Sequence, residues 1–303
     1  MSDMFVIVNP ASGGGKTGRR WPGLDARMRA EGAQFDVEFT REPGHAEHLA
    51  RAAGLSGAKT IIIVGGDGTL YEVVNGLIVD DKPIGDVAIG LLPVGTGSDF
   101  ARAMAVPRDP LAAAVYLTRS AQPQPLDVGR IECVRGEKAT VRYFTNVAGL
   151  GFDGEVADRV NRAGKSGGTL VYQIMLLRNL AGYQNKHVTL TIDGRRSEGV
   201  MNSVVLANAR YFGGGMFVAP NARWDDGLFD MILLGDLGKM EVIANMPKLY
   251  RGTHLTHPKV TELRALEVRV EARERMFLQA EGELVGEAPA TFSLLPKGLK
   301  VLR

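Results

Sequence analysis

The sequence has little cysteine: Cys133 is the only one in 303 residues. A single thiol cannot form an internal disulfide or a thiolate metal cluster, so the composition favours a reducing compartment. The run of roughly 18 apolar residues that a membrane-spanning helix needs is also absent, and the N-terminal apolar stretch is too short for a signal peptide. We therefore expect a cytoplasmic protein with no transmembrane span, and peripheral contact with a membrane stays open.

An excess of charge of one sign is absent as well. Lysine and arginine number 36 against 34 aspartate and glutamate, which leaves a formal net charge of +2, and the sequence has no basic tail or basic run. We infer that nucleic acid is not a partner. What the chain does contain, 45% apolar and 23% charged residues, is the composition of a globular protein with one large or two ordinary domains.

The stretch from Thr60 to Gly76 predicts a strand, a glycine turn and a helix in immediate succession. An apolar, β-branched run ends at two glycines, and apolar residues then recur at helical spacing. Thr69 and Glu72 have the spacing of a capping box, which predicts that the helix starts at this threonine. Glycines let the backbone approach a bound group, and a helix N-terminus favours an anion such as phosphate.

Asp67 lies in the middle of this turn. A carboxylate where phosphates bind is unfavourable by itself, so either a divalent cation lies between the two or the carboxylate takes a proton from an attacking hydroxyl. The alternative explanation is a tight turn with a capping aspartate. The turn alone does not distinguish these possibilities.

Strands and helices alternate through the N-terminal part of the chain. We predict strands at Phe5 to Val8, before Thr40, at the apolar run of the central turn and at Val87 to Leu92, with helices between them. This alternation predicts a parallel, helix-covered sheet. Because parallel strands share one carboxyl edge, polar residues from several turns should gather there. These residues are Asn9, Thr40, Asp67, Thr96 and Asp99, with Ser98 or Thr96 available to cap the following helix.

A proline-marked linker, Gln122 to Pro125, precedes a mostly β region with two helices, near Thr169 to Leu180 and Lys239 to Tyr250. Eight predicted strands with turns between them indicate a sandwich or barrel. We therefore expect an α/β nucleotide-binding domain at 1–124, with 297–303 as a candidate returning segment, and a β-rich domain at 125–296. The predicted strands are Val128–Val134, Arg142–Val147, Val188–Ile192, Ser203–Asn208, Phe229–Leu234, Leu266–Glu271, Met276–Gln279 and Thr291–Leu295.

Five segments in this order, VNPASGGGK, VGGDGTLYEVVNGL, LPVGTGSDFAR, GGGMFVAPNARWDDGLFD and AEGE, resemble the motifs of the diacylglycerol-kinase catalytic-domain family, especially its soluble bacterial lipid kinases. The resemblance covers nearly the entire chain. It implies a Rossmann-like nucleotide domain followed by a β-sandwich-like domain, with the active site in the cleft between them. It also implies a magnesium-dependent transfer of the γ-phosphoryl group of ATP to a lipid hydroxyl, as in phospholipid biosynthesis. The lipid would be presented at a membrane surface, and a homo-oligomer stays open.

The resemblance also implies site residues. Asp67 would organise the phosphates and their magnesium with support from Asp99, and Glu283 would accept the proton of the lipid hydroxyl. A further magnesium, structural in related enzymes, would be held by the Asp226 carboxylate and by two carbonyl oxygens, those of Arg223 and Leu228. The nucleotide contacts implied by the resemblance are Asn9, Thr40, Gly65, Gly66, Asp67, Gly68, Thr69, Leu70, Tyr71 and Thr96.

Three positions depart from the family pattern. Tyr71 and Ser98 stand where asparagine is common, and both changes bear on nucleotide contacts. Glu281 stands where aspartate is common, which leaves open whether Glu281 or Glu283 lies closer to the substrate. We expect Glu283 to be the base because it occupies the position of the glutamate in the Asp-Gly-Glu motif that is usual in the family.

Two other functions compete with a lipid kinase. NAD kinases share the GGDG turn and the two-domain plan, but the sequence lacks their Asn-Glu motif and their Thr-Gly-Ser-Thr-Ala-Tyr stretch. A protein that binds nucleotide or lipid without catalysis is the other alternative, and Tyr71 is the residue that favours it.

Overall fold

The computed structural model describes residues 2–94, 98–163 and 178–303. The chain forms two compact units: unit 1 comprises Met1–Val128 and Leu295–Arg303, and unit 2 comprises Gly129–Leu294. The boundaries that we expected from the sequence lie nearby, at 124/125 and 296/297. Two strands, Pro123–Arg135 and Glu283–Leu302, contain the points where the chain passes from one unit to the other.

Unit 1 has a parallel sheet flanked by helices, which confirms the expected fold class. The elements in chain order are β1 (Met4–Val8), α1 (Lys16–Ala30), β2 (Asp36–Phe39), α2 (His45–Leu55), β3 (Thr60–Gly65), α3 (Asp67–Leu77), β4 (Ile78–Val79), β5 (Lys82–Pro83), β6 (Ala88–Pro93), α4 (Asp99–Ala103), α5 (Pro110–Arg119) and β7 (Pro123–Arg135). The strand order is β2-β1-β3-β6, and Lys300 and Val301 of the C-terminal strand pair in parallel with β6 at the edge.

The central strands explain the continuous apolar runs of the sequence. In β3, every residue after Thr60 is buried, because helices cover both faces of the parallel sheet. Helices α2 and α3 pack backbone against backbone at Gly76, where a Cβ atom would lie 2.2 Å from the carbonyl oxygen of Glu47. This glycine therefore lets the two helices approach each other closely.

The capping box predicted at Thr69 and Glu72 is wrong. Helix α3 begins at Asp67, and the carboxylate of Glu72 instead accepts hydrogen bonds from the backbone N–H groups of Gly44 (2.8 Å) and Ala46 (3.0 Å). The reason is that α2 begins after a glycine, which has no side chain to cap its own helix. The neighbouring helix supplies the missing acceptor.

Unit 2 is predominantly antiparallel, and its β-sandwich-like class confirms the second half of the expected fold. The elements are β8 (Lys138–Phe144), β9 (Val147–Gly151), α6 (Phe152–Ala163), β10 (Lys186–Ile192), β11 (Arg195–Met201), β12 (Ser203–Ala207), β13 (Phe229–Leu234), α7 (Lys239–Arg251), a 3-10 turn (His254–Thr256), β14 (Val260–Ala265), β15 (Glu267–Ala272), β16 (Phe277–Ala280) and β17 (Glu283–Leu302). Strands run in the order β14-β13-β12-β9-β16-β17, with β15, β10 and β11 continuing from β17 and β8 pairing with β7.

One strand predicted in this unit, Arg142–Val147, is broken into β8 and β9 in the structure. The break lies at Thr145 and Asn146, whose backbone N–H groups donate to the Glu281 carboxylate at 2.9 and 2.7 Å. Those donors are therefore not available to a strand ladder. The prediction of one continuous strand was wrong because the acceptor lies far along the chain.

The sequence also did not predict β4 and β5 in unit 1, or β11, β14, the 3-10 turn and helix α6 in unit 2. Helix α6 packs closely on β16 at Gly154, where a Cβ atom would lie 2.1 Å from the carbonyl oxygen of Phe277. The predicted helix at Thr169–Leu180 falls mainly on 164–177, which lie outside the described residues. Within the described ranges, no helix is long and apolar enough to cross a membrane.

Candidate active site

At the carboxyl edge of the unit 1 sheet, Asn9 links the loop after β1 to the turn after β3. Its side-chain amide donates to the Thr69 hydroxyl at 2.9 Å, and its side-chain oxygen accepts from the backbone N–H of Ala11 at 3.1 Å. Thr40 lies at the same edge, and its backbone N–H donates to the carbonyl oxygen of Val8 at 2.9 Å. Asn9 thus joins the end of β1 to the start of α3.

Glycines make this approach possible. A Cβ atom at Gly65 would lie 2.8 Å from the Thr69 hydroxyl, so a larger residue would collide with the side chain that Asn9 holds. In the loop between β1 and α1, Gly13, Gly14 and Gly15 have positive φ angles of 61°, 66° and 80°. Such glycine loops before helix N-termini present backbone N–H groups that suit phosphate oxygens.

The Asp67 carboxylate links two turns of the same edge. Its oxygens accept hydrogen bonds from the backbone N–H groups of Asp99 (3.0 Å) and Phe100 (3.3 Å), so Asp67 caps helix α4. The cap predicted for Ser98 is wrong. Ser98 has a left-handed φ of 44°, and its side chain makes no capping bond. The other candidate cap, Thr96, lies outside the described residues.

The electrostatics of Asp67 favour a cation beside it. Burial raises the pKa of this carboxyl, although the two backbone hydrogen bonds and the positive charge of Arg102 act in the opposite direction. A raised carboxylate pKa means that the negative charge is incompletely compensated. A divalent cation at this carboxylate would compensate the charge, so Asp67 fits the magnesium that the family resemblance implied.

The other predicted nucleotide residues differ in what their side chains can reach. Leu70 is fully buried in the core of unit 1, so only its backbone is left for a ligand. Tyr71 and Gly68 are partly exposed. Asp99 is 3% exposed, and its carboxylate lies 3.9 Å from the Arg102 guanidinium. This aspartate therefore supports the edge through its backbone N–H and an ion pair.

The two glutamates of the AEGE segment have different environments in unit 2. Glu281 has a positive φ of 54°, and its carboxylate accepts from the backbone at Thr145 and Asn146. Glu283 is partly buried at the first position of β17, where it pairs with Ala280. Glu281 is therefore the glutamate that anchors the backbone, and this role leaves Glu283 as the candidate base.

A cavity of about 100 Å³ lies within unit 2. Its walls come from α6, β12, α7 and the segment around the 3-10 turn, and they are almost entirely apolar. The sequence predicted a helix near Lys239 to Tyr250 but gave no sign that one of its faces lines a cavity. The apolar residues that line it include Val156, Val205, Met216, Val242, Met246 and Leu249.

Asp153 supplies a polar group to this apolar wall. One carboxylate oxygen accepts from the Gln279 amide at 3.0 Å, and the other has no hydrogen-bond partner among the described residues. Burial raises the pKa of the Asp153 carboxyl to about 6, against the lowering effect of the Gln279 bond. Gln279 in turn accepts from the backbone N–H of Gly282 at 2.9 Å. Sequence reasoning did not identify Asp153.

The predicted second magnesium site lies apart from these groups in unit 2. One Asp226 oxygen forms an ion pair with Arg264, and the other accepts from the backbone N–H of Leu228 at 3.2 Å. A buried oxygen of Asp230 has no hydrogen-bond partner among the described residues, and burial raises the pKa of this carboxyl. Arg223 is exposed beside this group. The other Asp230 oxygen lies 3.9 Å from the Arg264 guanidinium. No cluster of three or more acidic, histidine or cysteine ligands occurs in the described ranges.

Comparison with protein families places recognised domains on both parts of the chain. Residues 3–131 match the diacylglycerol kinase catalytic domain, and residues 146–303 match the YegS C-terminal NAD kinase beta sandwich-like domain. A diacylglycerol kinase of Mycobacterium tuberculosis is 31% identical over 98% of this chain and 94% of its own length. A diacylglycerol kinase of Bacillus subtilis is 30% identical over 98% and 95%.

Solved structures of diacylglycerol kinases have a similar fold. A diacylglycerol kinase of Bacillus anthracis has a TM-score of 0.75 and 23% identity, with 99% of this chain and 96% of that chain covered. Yeast NADH kinase is more distant, with a TM-score of 0.51 and 11% identity over 99% and 82% of the two chains. The NAD kinase alternative thus shares the fold, whereas the full-length sequence similarity lies with lipid kinases.

We predict that Asp153→Asn changes the pH dependence of stability. The folded-state pKa of about 6 lies above the ordinary value of 3.8, so the wild type has the full stability contribution of this group below about pH 4 and loses it as the pH rises through about 6. The loss amounts to at most about 3 kcal/mol. The melting temperature of the variant minus that of the wild type should therefore rise from pH 4 to pH 7 and then level off.

This difference isolates position 153 because the two proteins share every other titrating group. Thermal melts in matched buffers provide the measurement. A difference that is constant across this pH range would contradict the assignment.

Proposed function

Because the chain belongs to the diacylglycerol kinase family, we propose that this lipid kinase transfers the γ-phosphoryl group of ATP to a hydroxyl of diacylglycerol or a related lipid, with magnesium. The observation that carries the proposal is the Asp67 carboxylate, which lies beside a glycine turn, caps the next helix and has a raised pKa. Phosphoryl transfer needs positioning and charge neutralisation more than covalent chemistry from the protein.

Unit 1 is proposed to bind the nucleotide. The glycine loop before α1 and the turn before α3 offer backbone N–H groups at helix N-termini, where the dipole favours phosphate. Asn9 and Thr69 hold these two loops in one arrangement through their 2.9 Å hydrogen bond. Magnesium bound near Asp67 would supply charge neutralisation for the phosphates.

Unit 2 is proposed to bind the lipid. The apolar cavity would receive part of an acyl chain, and a nucleotide acceptor such as NAD has no comparable apolar tail. The lipid hydroxyl oxygen attacks the γ-phosphorus, the bond to ADP breaks, and the hydroxyl proton passes to the Glu283 carboxylate. The cavity therefore favours a lipid kinase over the NAD kinase alternative.

The first functional prediction concerns Asp67→Asn. An amide oxygen accepts as a carboxylate oxygen does, but the amide nitrogen cannot, so the variant loses one bond to the α4 N-terminus as well as the charge that holds the cation. We expect lipid phosphorylation to fall by at least about a hundredfold. The measurement is transfer from labelled ATP to diacylglycerol in mixed micelles.

Asp109→Asn is the matched control because Asp109 also caps a helix of unit 1, accepting from the Ala112 backbone at 2.8 Å. It should retain near wild-type turnover. Melting temperatures of both variants report any loss of fold. Asp67→Asn with most of the wild-type turnover would eliminate the proposed role of its charge.

The second functional prediction separates the two glutamates. Glu283→Gln should abolish lipid phosphorylation and leave ATP binding unchanged, because a general base contributes in the transition state. Glu281→Gln should lower the melting temperature, because a neutral amide accepts more weakly from the backbone of Thr145 and Asn146. Turnover, equilibrium ATP binding and melting are measured for both variants.

Normal turnover in Glu283→Gln would show that this residue is not the base. If Glu281→Gln then lost turnover at an unchanged melting temperature, the base would be Glu281. If the wild type bound ATP and phosphorylated neither a lipid nor NAD, the alternative of a binding protein without catalysis would replace the proposal.

The third functional prediction tests magnesium at Asp226. For the ion to bind, it must displace the Arg264 guanidinium from the carboxylate, and the carbonyl oxygens of Arg223 and Leu228 would complete the site. Magnesium should then raise the melting temperature of the wild type, since a ligand of the folded state stabilises it. Asp226→Ala should lose this response, whereas Asp225→Ala, at the exposed neighbouring carboxylate, should keep it. An equal response in both variants would contradict a site at Asp226.

A further inference from the structure

Helix α7 (Lys239–Arg251) is unusual because none of its residues is fully buried. One face contributes Val242, Met246 and Leu249 to the wall of the apolar cavity. These positions are four and three residues apart, so they lie along one side of a helix with about 3.6 residues per turn. The helix therefore covers the cavity with its inner face.

A second face of α7, about 110° round the helix from the first, is apolar as well. Met240 is 75% exposed, Ile243 is 42% exposed and Tyr250 is 38% exposed, and Pro247 is also exposed on this side. Their spacing of three, seven and ten residues from Met240 forms a second apolar stripe. A helix that is apolar on two faces is typical of burial or of a membrane interface, and this outer stripe is exposed to solvent.

The charges on α7 suit an anionic surface. Lys248 and Arg251 lie in its last two turns and are exposed, and Lys239 lies at its start. At about 100° per residue, Lys239 and Arg251 flank the outer stripe, whereas Lys248 lies about 80° beyond Met240. The Lys239 ammonium donates to the carbonyl oxygen of Ala181. The only acid of the helix, Glu241, is engaged at 2.7 Å by the backbone N–H of Gly238 and at 2.7 Å by the Lys259 ammonium.

We infer that the outer face of α7 docks on a lipid bilayer that contains anionic headgroups. The exposed apolar side chains enter the boundary between headgroups and acyl chains, while the flanking cations contact the lipid phosphates. The assignment rests on the proposed function in one respect: the inner face covers the cavity proposed for the lipid. Docking would thus place the covered cavity next to the membrane that supplies the substrate.

Binding to vesicles tests the inference without any catalytic step. The full chain is sedimented with vesicles of phosphatidylcholine alone and of phosphatidylcholine mixed with phosphatidylglycerol, in the absence of ATP. We expect preferential binding to the mixed vesicles. The double variant Met240→Asp/Ile243→Asp should bind these at least about tenfold more weakly, because it replaces inserted apolar area with charge.

Two further variants make the test specific. Leu266→Asp changes an apolar residue of the same unit that is 58% exposed and outside α7, and it should bind the vesicles as the wild type does. Lys248→Glu/Arg251→Glu should lose the preference for phosphatidylglycerol, at lower ionic strength above all. Melting temperatures confirm that each variant is folded, and the charge-reversal variant tests the surface even if the apolar double variant does not fold.

The outcomes separate docking from the proposed function. If Met240→Asp/Ile243→Asp loses vesicle binding and phosphorylates lipid in detergent micelles normally but lipid in vesicles slowly, both are supported. If vesicle binding behaves as expected but no lipid is phosphorylated, docking stands and the function fails.

Three results would overturn the docking surface. The wild type could fail to bind either vesicle, or both α7 variants could bind as the wild type does. A third is a wild-type dimer that the apolar double variant converts to monomer, because the face would then be an interface between two copies.

Discussion

A carboxylate that accepts hydrogen bonds from the start of a distant helix organises the sheet edge of unit 1. Asp67 follows β3, yet it caps α4, which follows β6, through the backbone N–H groups of Asp99 and Phe100. The bond fixes the relative position of two strand-to-helix turns. It also keeps a poorly compensated negative charge at the edge where backbone N–H groups are available to phosphate, so the same group serves the fold and the proposed chemistry.

Two other carboxylates also accept hydrogen bonds from backbone N–H groups of distant segments. Glu72 caps α2 from the neighbouring helix, and Glu281 holds the corner between β8 and β9. Hydrogen bonds to a charged acceptor are stronger than those between neutral groups, so each bond stabilises a particular arrangement of loops. The two glutamates of the AEGE segment therefore have different roles. Glu281 binds backbone N–H groups, and Glu283 is proposed to act on the substrate.

In unit 2, a single helix, α7, covers one side of the apolar cavity. Helix α7 contributes apolar side chains to the cavity and presents others to solvent, so it is stabilised by only one buried side. An element with few buried contacts opens at lower free-energy cost than a core strand does. This arrangement would suit the proposed entry of a lipid from a membrane.

Local periodicity by itself determined the alternation in unit 1 and the range of β13, because strands and helices depend on neighbours a few residues away. Ordered motifs likewise determined the family. Tertiary structure decided that Glu72 caps another helix and that the strand before Asn146 is interrupted. It also decided that Asp153 borders a cavity. Each of these contacts joins residues that are far apart in the sequence, so no local spacing encodes them. Glu72 is 28 residues from Gly44, Asn146 is 135 from Glu281, and Asp153 is 126 from Gln279.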